Sequence, residues 1–159
     1  MSRQADLFHR PSHSGRSFWG PGDAYRFLVT GEESGGAYFA MEALVPPGGG
    51  PPPHIHTRED ETFYLLEGEI EFLLGEELIV AGPGDFVNVP RGTLHRFQNT
   101  GNDVARLVLT FTPAGIERWF EETLEDAPNE FEVEDVPDNI EEVAARYVAA
   151  APRYGLEFV

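Results

Sequence analysis

The chain has 159 residues, a formal net charge of −17 and no cysteine, and its eleven basic residues are all arginines. This length suits one domain with a sizeable core, and the charge disfavours nucleic acid and anionic membranes because like charges repel. Disulfide bonds, thiol catalysis and a lysine Schiff base are excluded by composition.

Other functional classes are disfavoured by what the sequence lacks. There is no cationic start followed by an apolar stretch and no apolar run near 18 residues, so we expect neither a signal peptide nor a membrane span. A cytoplasmic location is the expectation. Four of the five serines fall within the first 17 residues, which leaves Ser34 alone in the body of the chain. Serine nucleophiles are therefore nearly excluded.

The first elements predicted along the chain are an arm and a series of short strands. Residues 1–18 are polar and are expected to form an arm. Short apolar runs then alternate with turn signals rich in glycine, proline and asparagine, which is typical of antiparallel strands. The predicted strands are Tyr25–Val29, Ala37–Val45, Thr62–Leu66, Glu69–Leu74, Glu77–Val80, Phe86–Val89, His95–Asn99 and Val104–Thr112. About eight such strands predict an all-β sandwich or jelly-roll barrel.

A first helix is predicted directly after the last strand. Thr112 can cap it, and the fixed φ of Pro113 suits a first helical position. Apolar residues then recur at three- and four-residue spacing, at Ile116, Trp119, Phe120 and Leu124. This stripe should lie on the barrel or close its mouth.

A second helix is predicted near the end of the chain. Asp138 followed by Glu141 resembles a capping box, and Pro152 should stop the helix. Between the helices, residues 125–137 are expected to form an acidic linker. The predicted divisions are an arm at 1–18, a barrel with its following helix at 19–124, and the linker with the C-terminal helix at 125–159.

The segment His54-Ile55-His56 is the strongest chemical signal. Side chains alternate along a strand, so His54 and His56 project to one side and can share an ion, whereas Ile55 points away. Glu61 follows His54 by an odd number of residues, so a straight strand would put it on the opposite face. We therefore expect a bend in the polar run 57–60.

His95 can complete the site from a separate strand, which is entered through the turn residues Pro90 and Gly92. Three imidazoles and the Glu61 carboxylate form an N3O donor set that suits one divalent Fe, Mn, Ni, Co, Cu or Zn ion and argues against Mg or Ca. Four protein ligands leave about two positions free on a six-coordinate ion. Open positions permit chemistry at the ion.

These residues fall within two glycine-punctuated motifs. The first runs from Gly48 through His54, His56 and Glu61 to Gly68, and the second from Gly84 through Gly92 and His95 to Asn99. Both resemble the motifs of the cupin superfamily at every fixed position. The stretches 52–56, 60–68 and 113–117 look like the quercetin-dioxygenase-like subgroup of single-domain bacterial cupins.

The resemblance implies a double-stranded β-helix, or jelly-roll, cupin barrel with one or two C-terminal helices. It also implies that His54, His56, Glu61 and His95 are the metal ligands, and that Glu61 acts as a base toward a bound hydroxyl. The motif glycines and Asn99 would be structural. Paired barrels are common in the superfamily, and the apolar stretch Phe18-Trp19, which a barrel need not bury, adds to the expectation of a homodimer.

Strand parity predicts which side chains surround the ion. Phe63 and Leu65 share a face with Glu61, and Phe97 shares one with His95, so an apolar, aromatic substrate pocket is expected. The alternative is that these side chains simply fill the core. A small hydrophobic or hydroxylated aromatic substrate is favoured over a sugar phosphate, because no arginine cluster has the spacing for phosphate.

Three functions remain open from the sequence. The leading one is a metal-dependent oxidoreductase of the dioxygenase type acting on such a small molecule. A non-redox metal-dependent isomerase or decarboxylase could use the same site as a Lewis acid. A barrel that binds a small molecule without turnover is the third.

Overall fold

A computed structural model describes residues 3–128, 133 and 137–159. Its regular elements are β1 (Ser17–Trp19), β2 (Ala24–Val29), β3 (Phe39–Val45), β4 (His54–His56), β5 (Asp60–Glu67), β6 (Ile70–Leu74), β7 (Glu77–Ala81), β8 (Phe86–Val89), β9 (His95–Gln98), β10 (Ala105–Thr112), α1 (Glu117–Thr123), β11 (Glu125–Ala127), α2 (Ile140–Ala150) and β12 (Leu156–Phe158).

The strands form two sheets with antiparallel pairing. The larger has the order β11-β1-β2-β3-β10-β5-β8, and the smaller has the order β12-β4-β9-β6-β7. Aromatic side chains join the two across the core: the ring centroid of Phe63 on β5 lies 5.0 Å from that of Phe72 on β6 and 5.6 Å from that of Phe97 on β9. The all-β jelly-roll with two C-terminal helices is confirmed.

Strand β10 shows why these sequences form strands. It lies between β3 and β5, and its burial alternates with a period of two. Its inward side chains, Ala105, Leu107, Leu109 and Phe111, are at most 1% exposed. Each large side chain buried in this way contributes about 1.5–3 kcal/mol, which fixes the register.

The end of the arm is part of the sheet. Strand β1 pairs with β2 on one side and with β11 on the other. Phe18 and Trp19 are 0% and 6% exposed, and the Phe18 ring lies 4.8 Å from that of Phe27. The expectation that the barrel leaves these two residues unburied is wrong, because β1 carries them into the core. The homodimer loses that support and stays a prediction.

The predicted start of the first helix is wrong. Thr112 still belongs to β10, where it pairs with Asp60 of β5, and the Thr112–Pro113 peptide is cis. Helix α1 begins at Glu117, with Ile116 at its N-cap and no side-chain cap. The strand pairing therefore prevails over the local helix signal. The apolar stripe Ile116, Trp119, Phe120 and Leu124 is buried in the core as expected.

The second helix begins differently from the start that the sequence predicted. Its N-cap is Asn139 rather than Asp138, and no side-chain hydrogen bond caps it, so the predicted capping box does not form. Helix α2 ends at Ala150, and a short 3-10 helix, Ala151–Tyr154, contains Pro152. The predicted linker begins with strand β11, and its residues 129–132 and 134–136 lie outside the described part. No helix among the described residues is both long and apolar enough to cross a membrane.

Candidate metal centre

The structure brings His54, His56, Glu61 and His95 together. One ligand atom from each lies within 4.8 Å of the others, and the four residues are 5%, 4%, 3% and 1% exposed. Glu61 Oε2 lies 3.1 Å from His56 Nε2 and 3.0 Å from His95 Nε2. The ring of His54 lies beside both other imidazoles, with its centroid 4.4 Å from that of His95.

Two neighbouring strands and a change of sheet produce this convergence. His54 on β4 is the cross-strand partner of His95 on β9 in the smaller sheet. Glu61 lies on β5 of the larger sheet. The chain passes between the sheets through the bent segment 57–59. The predicted bend is therefore present, and the odd spacing of Glu61 is resolved because the chain changes sheets.

The turn before β9 is tied to the first motif. Gly92 has φ 83°, a left-handed conformation that glycine adopts without a steric penalty. Its amide donates a 2.8 Å hydrogen bond to the carbonyl oxygen of His56. This bond fixes the entry to β9 against the end of β4, so the backbone itself places His95 near the other ligands.

Backbone carbonyls orient two of the imidazoles. Nδ1 of His54 lies 2.8 Å from the Pro52 oxygen, and Nδ1 of His95 lies 2.9 Å from the Thr93 oxygen. Because a carbonyl only accepts, each Nδ1 carries the hydrogen, and the lone pair is assigned to Nε2. Such outer contacts set the tautomer and ring orientation of metal-binding histidines.

Burial and mutual charge control protonation in the cluster. Burial, with the neighbouring His56 and His95, lowers the pKa of His54 to about 3. Burial alone would lower the pKa of His56 as well, but the carboxylates of Glu61 and Glu59 outweigh it and raise that pKa to about 9. Burial opposes ionisation of Glu61, yet His56 and His95 lower its pKa to about 2. Without an ion, a buried cation and carboxylate therefore compensate one another.

The cluster fits a transition metal. Neighbouring ligand atoms about 2.1 Å from one octahedral ion lie about 3 Å apart, close to the separations between Glu61 Oε2 and the two imidazole nitrogens. The N3O donor set suits the divalent ions Fe, Mn, Ni, Co, Cu and Zn. A buried histidine and glutamate cluster of the kind found in cupin metal sites is thus present.

A small cavity of about 20 Å³ adjoins the cluster. Phe97 lines it, as proposed for the substrate pocket. The Phe63 ring lies 6.4 Å from the His95 ring without lining the cavity, and Leu65 is buried elsewhere in the core. Further residues of its wall are Tyr25, Met41, Pro51, Leu109, Phe111, Trp119, Phe120 and Tyr147.

Sequence reasoning did not single out most of that wall. The period-two pattern of β10 could have identified Leu109 and Phe111, because they share one face of the strand. Trp119 and Phe120 were expected only to cover the barrel. Tyr25 and Tyr147 are distant in sequence and reach the cavity through packing, for which no local signal exists.

Glu59 is a further residue that the spacing did not identify. It is 4% exposed, and its Oε2 lies 3.7 Å from His56 Nδ1. Neither atom has a hydrogen-bond partner within the described part of the chain, and 3.7 Å is too long for a hydrogen bond between them. A small adjustment would satisfy both atoms, which places Glu59 where it can orient His56.

The flanking arginines engage other groups. Arg96 donates a 2.7 Å hydrogen bond to Glu71 on the neighbouring strand, and Arg91 donates to Asp60 at 3.0 Å. Asn99 holds the end of the second motif: its side-chain amide donates to the carbonyl oxygens of Val45 and Asp103 at 2.8 and 2.7 Å. None of the three residues lines the cavity at the cluster.

Comparison with known proteins agrees with this fold and site. The profile of the cupin domain matches residues 41–121, about half of the sequence. The chain therefore belongs to the cupin family. It is similar to quercetin 2,3-dioxygenase from Bacillus subtilis, at 28% identity over 96 residues, covering 60% of this chain and 28% of that protein.

A second curated relative is quercetin 2,3-dioxygenase from Aspergillus japonicus, 33% identical over 103 residues, covering 60% of this chain and 29% of the relative. The chain thus matches less than a third of the length of either relative. Among solved structures, an RmlC-like cupin from Shewanella frigidimarina superposes with a TM-score of 0.61 at 22% identity, over 74% of this chain and 99% of that one. This likeness supports the fold alone.

Proposed function

We propose that this protein is a metal-dependent oxidoreductase of the dioxygenase type that acts on a small hydrophobic or hydroxylated aromatic substrate. The observation that carries the proposal is the His54, His56, Glu61 and His95 cluster, which adjoins a cavity with mainly apolar and aromatic walls. The similarity to two quercetin 2,3-dioxygenases supports the same class of chemistry.

A redox-active ion held by these four residues would supply open coordination positions and electron transfer. The protein's own residues supply a proton acceptor and the walls of the cavity. In this proposal Glu61, whose Oε2 lies 3.1 and 3.0 Å from the Nε2 atoms of His56 and His95, accepts a proton from a substrate hydroxyl. The rings of Phe97 and Phe111 exclude water and offer flat surfaces to an aromatic substrate.

Metal analysis of the purified protein, followed by oxygen uptake with candidate flavonols and enediols, tests this proposal. We expect near-stoichiometric transition metal and substrate-dependent oxygen consumption. Conversion of a substrate under nitrogen would instead assign a non-redox isomerase or decarboxylase. Binding without conversion in either atmosphere would assign a binding protein.

The homodimer is retained as a proposal on the strength of family membership. Its association does not involve Phe18 and Trp19, which the core buries. Light scattering at micromolar protein should give twice the 17.7 kDa chain mass. A single-chain mass would exclude it.

A further inference from the structure

A second cavity lies beside the one at the metal cluster. Its volume is about 210 Å³, and it opens between α2, the turn at 21–23 and the loop at 50–52. Tyr25, Pro51 and Tyr147 line both cavities. This outer cavity is therefore adjacent to the cavity at the metal cluster, and these three residues form part of the wall of both.

The walls of the outer cavity are mostly apolar. Pro21, Pro52, Val148 and Phe158 contribute carbon surface. Asp23 is the acidic residue of the wall and is 7% exposed. One of its carboxylate oxygens, Oδ2, has no hydrogen-bond partner among the described residues. A buried polar atom without a partner costs about 1–3 kcal/mol, so a residue of this kind suits a ligand that supplies the missing donor.

Two tyrosines connect Asp23 to the metal cluster. The Tyr25 hydroxyl interacts with Asp23, and the Tyr147 hydroxyl interacts with that of Tyr25. Burial raises the pKa of both tyrosines well above 10, and the nearby carboxylates of Asp23 and Glu61 raise it further. Both hydroxyls are therefore neutral, and we call Asp23, Tyr25 and Tyr147 the Asp23 cluster.

We propose that the outer cavity is a substrate subsite of the metal centre, which holds one hydroxylated aromatic ring and hydrogen bonds its hydroxyl group through Asp23. This inference rests on the proposed function, since it assigns the recognition of that substrate. Oδ2 is shielded from solvent, but rotation of a carboxylate about its last torsion is soft. The carboxylate can therefore turn toward a ligand hydroxyl.

The cavity volumes restrict the size of the ligand. The two cavities, of about 210 and 20 Å³, together stay under the roughly 300–1,000 Å³ of ordinary ligand sites. One aromatic ring fits this space, whereas a three-ring flavonol requires α1 and α2 to move. Tyr147 is fixed by Trp119, whose ring stacks on it at 3.9 Å and whose Nε1 donates to its carbonyl oxygen at 2.9 Å. The structure therefore favours single-ring substrates.

The test uses two matched probes, 4-methylphenol and 4-methylanisole, which differ in whether the oxygen can donate. Their affinities for zinc-loaded and metal-free protein are measured by calorimetry and by amide shifts in NMR spectra. In buffer above the pKa of Asp23, which burial raises to about 7, the carboxylate is ionised, and we expect the phenol to bind about tenfold more tightly, the effect of one hydrogen bond to a charged group. The shifts should centre on Asp23, Gly50 and Ala144, which line the outer cavity.

Variants of Asp23 decide the assignment. Asp23→Ala should remove the preference for the phenol, and Asp23→Asn, which keeps an acceptor oxygen, should retain part of it. If both variants still prefer the phenol over the anisole, Asp23 has no role in recognition. If the unsubstituted protein binds neither probe, that role is likewise overturned. In either case unchanged metal content and oxygen uptake would leave the proposed function intact, so the two failures are distinguishable.

A separate substitution tests where the subsite lies. Val148 lines the outer cavity and is 49% exposed, so Val148→Trp should fill the mouth without disturbing the core. We expect at least tenfold weaker binding of both probes. Ala149→Trp is the matched control, because the neighbouring position is exposed and does not line the cavity. Equal effects of the two substitutions would contradict the location.

Discussion

The metal cluster and the Asp23 cluster are neighbouring groups of buried polar residues with different construction. In the metal cluster, two imidazoles are fixed by backbone carbonyls, and two imidazole nitrogens lie within 3.1 Å of one carboxylate oxygen of Glu61. In the Asp23 cluster, one carboxylate oxygen has no hydrogen-bond partner among the residues that the structure describes. The ligands of the first group are oriented before any small molecule binds. In the second group, the Asp23 carboxylate oxygen gains a hydrogen bond only when a ligand supplies a donor. This difference is suited to a site where an ion is permanent and a substrate is exchanged.

The largest expected effect is on metal content. His56→Ala removes one of the three imidazoles, so most of the bound metal should be lost, as measured by elemental analysis. The fold should persist with a cooperative melt, because the barrel core does not depend on an ion as a zinc finger does. His9→Ala, in the exposed part of the arm, is the control. An unfolded His56→Ala protein would show that the cluster is structural.

Turnover should respond next most strongly to Glu61→Gln. Three imidazoles can still hold the ion, but the amide cannot accept a proton, and loss of such a role typically lowers the rate by about 10²–10⁴. The ratio of steady-state turnover to metal occupancy measures this once a substrate is in hand. Parallel losses of metal and activity would reduce Glu61 to a ligand, and unchanged activity would remove it from the mechanism.

A smaller effect on metal affinity is expected from Glu59→Ala, which removes the acceptor oxygen. If Glu59 orients His56, its loss should weaken metal binding by about 10–100-fold, as is typical of residues behind metal ligands. Competition with a chromophoric chelator gives the affinity. Glu69→Ala, at an exposed position directly before β6, is the control. Equal affinities in both variants would show that the 3.7 Å contact has no role.

The smallest effect should be a change in how stability depends on pH. Burial raises the pKa of Asp23 to about 7, partly opposed by its hydrogen bond with Tyr25, from an ordinary value of 3.8. The folded protein therefore binds more protons than the unfolded chain between these values, and this group lowers the free energy of unfolding as pH rises from about 4 to about 7.

The side chain of the Asp23→Asn variant does not ionise. The free energy of unfolding of the variant minus that of the wild type should therefore increase as pH rises from about 4 to about 7, by an amount on the order of a few kcal/mol. Urea denaturation at a series of pH values measures the difference. The other ionisable groups are the same in both proteins, so their contribution to this difference largely cancels. A constant difference across the range would contradict a buried, protonated Asp23.

The metal cluster was predictable because its geometry follows from short-range rules. His54 and His56 share a strand face through the period of two, and Gly92 marks the turn that returns the chain to His95. Parity alone would put Glu61 on the opposite face, so a bend at 57–60 was predicted, and the structure shows that this bend carries the chain from β4 in one sheet to β5 in the other. The predicted start of α1 was wrong for a related reason, since the Thr112–Asp60 pairing extends β10 through the residue expected to cap that helix.

The sequence by itself determined the family, the all-β architecture and the four residues of the metal cluster, because strand alternation and glycine turns act over a few residues. Only the tertiary structure decided the burial of Phe18 and Trp19 and the meeting of Asp23, Tyr25 and Tyr147 beside the cluster. Tyr147 and Tyr25 are more than a hundred residues apart in sequence, and they meet because α2 packs against the barrel. No periodicity encodes such a contact, since it depends on the combined packing of the helices, the turn at 21–23 and the loop at 50–52.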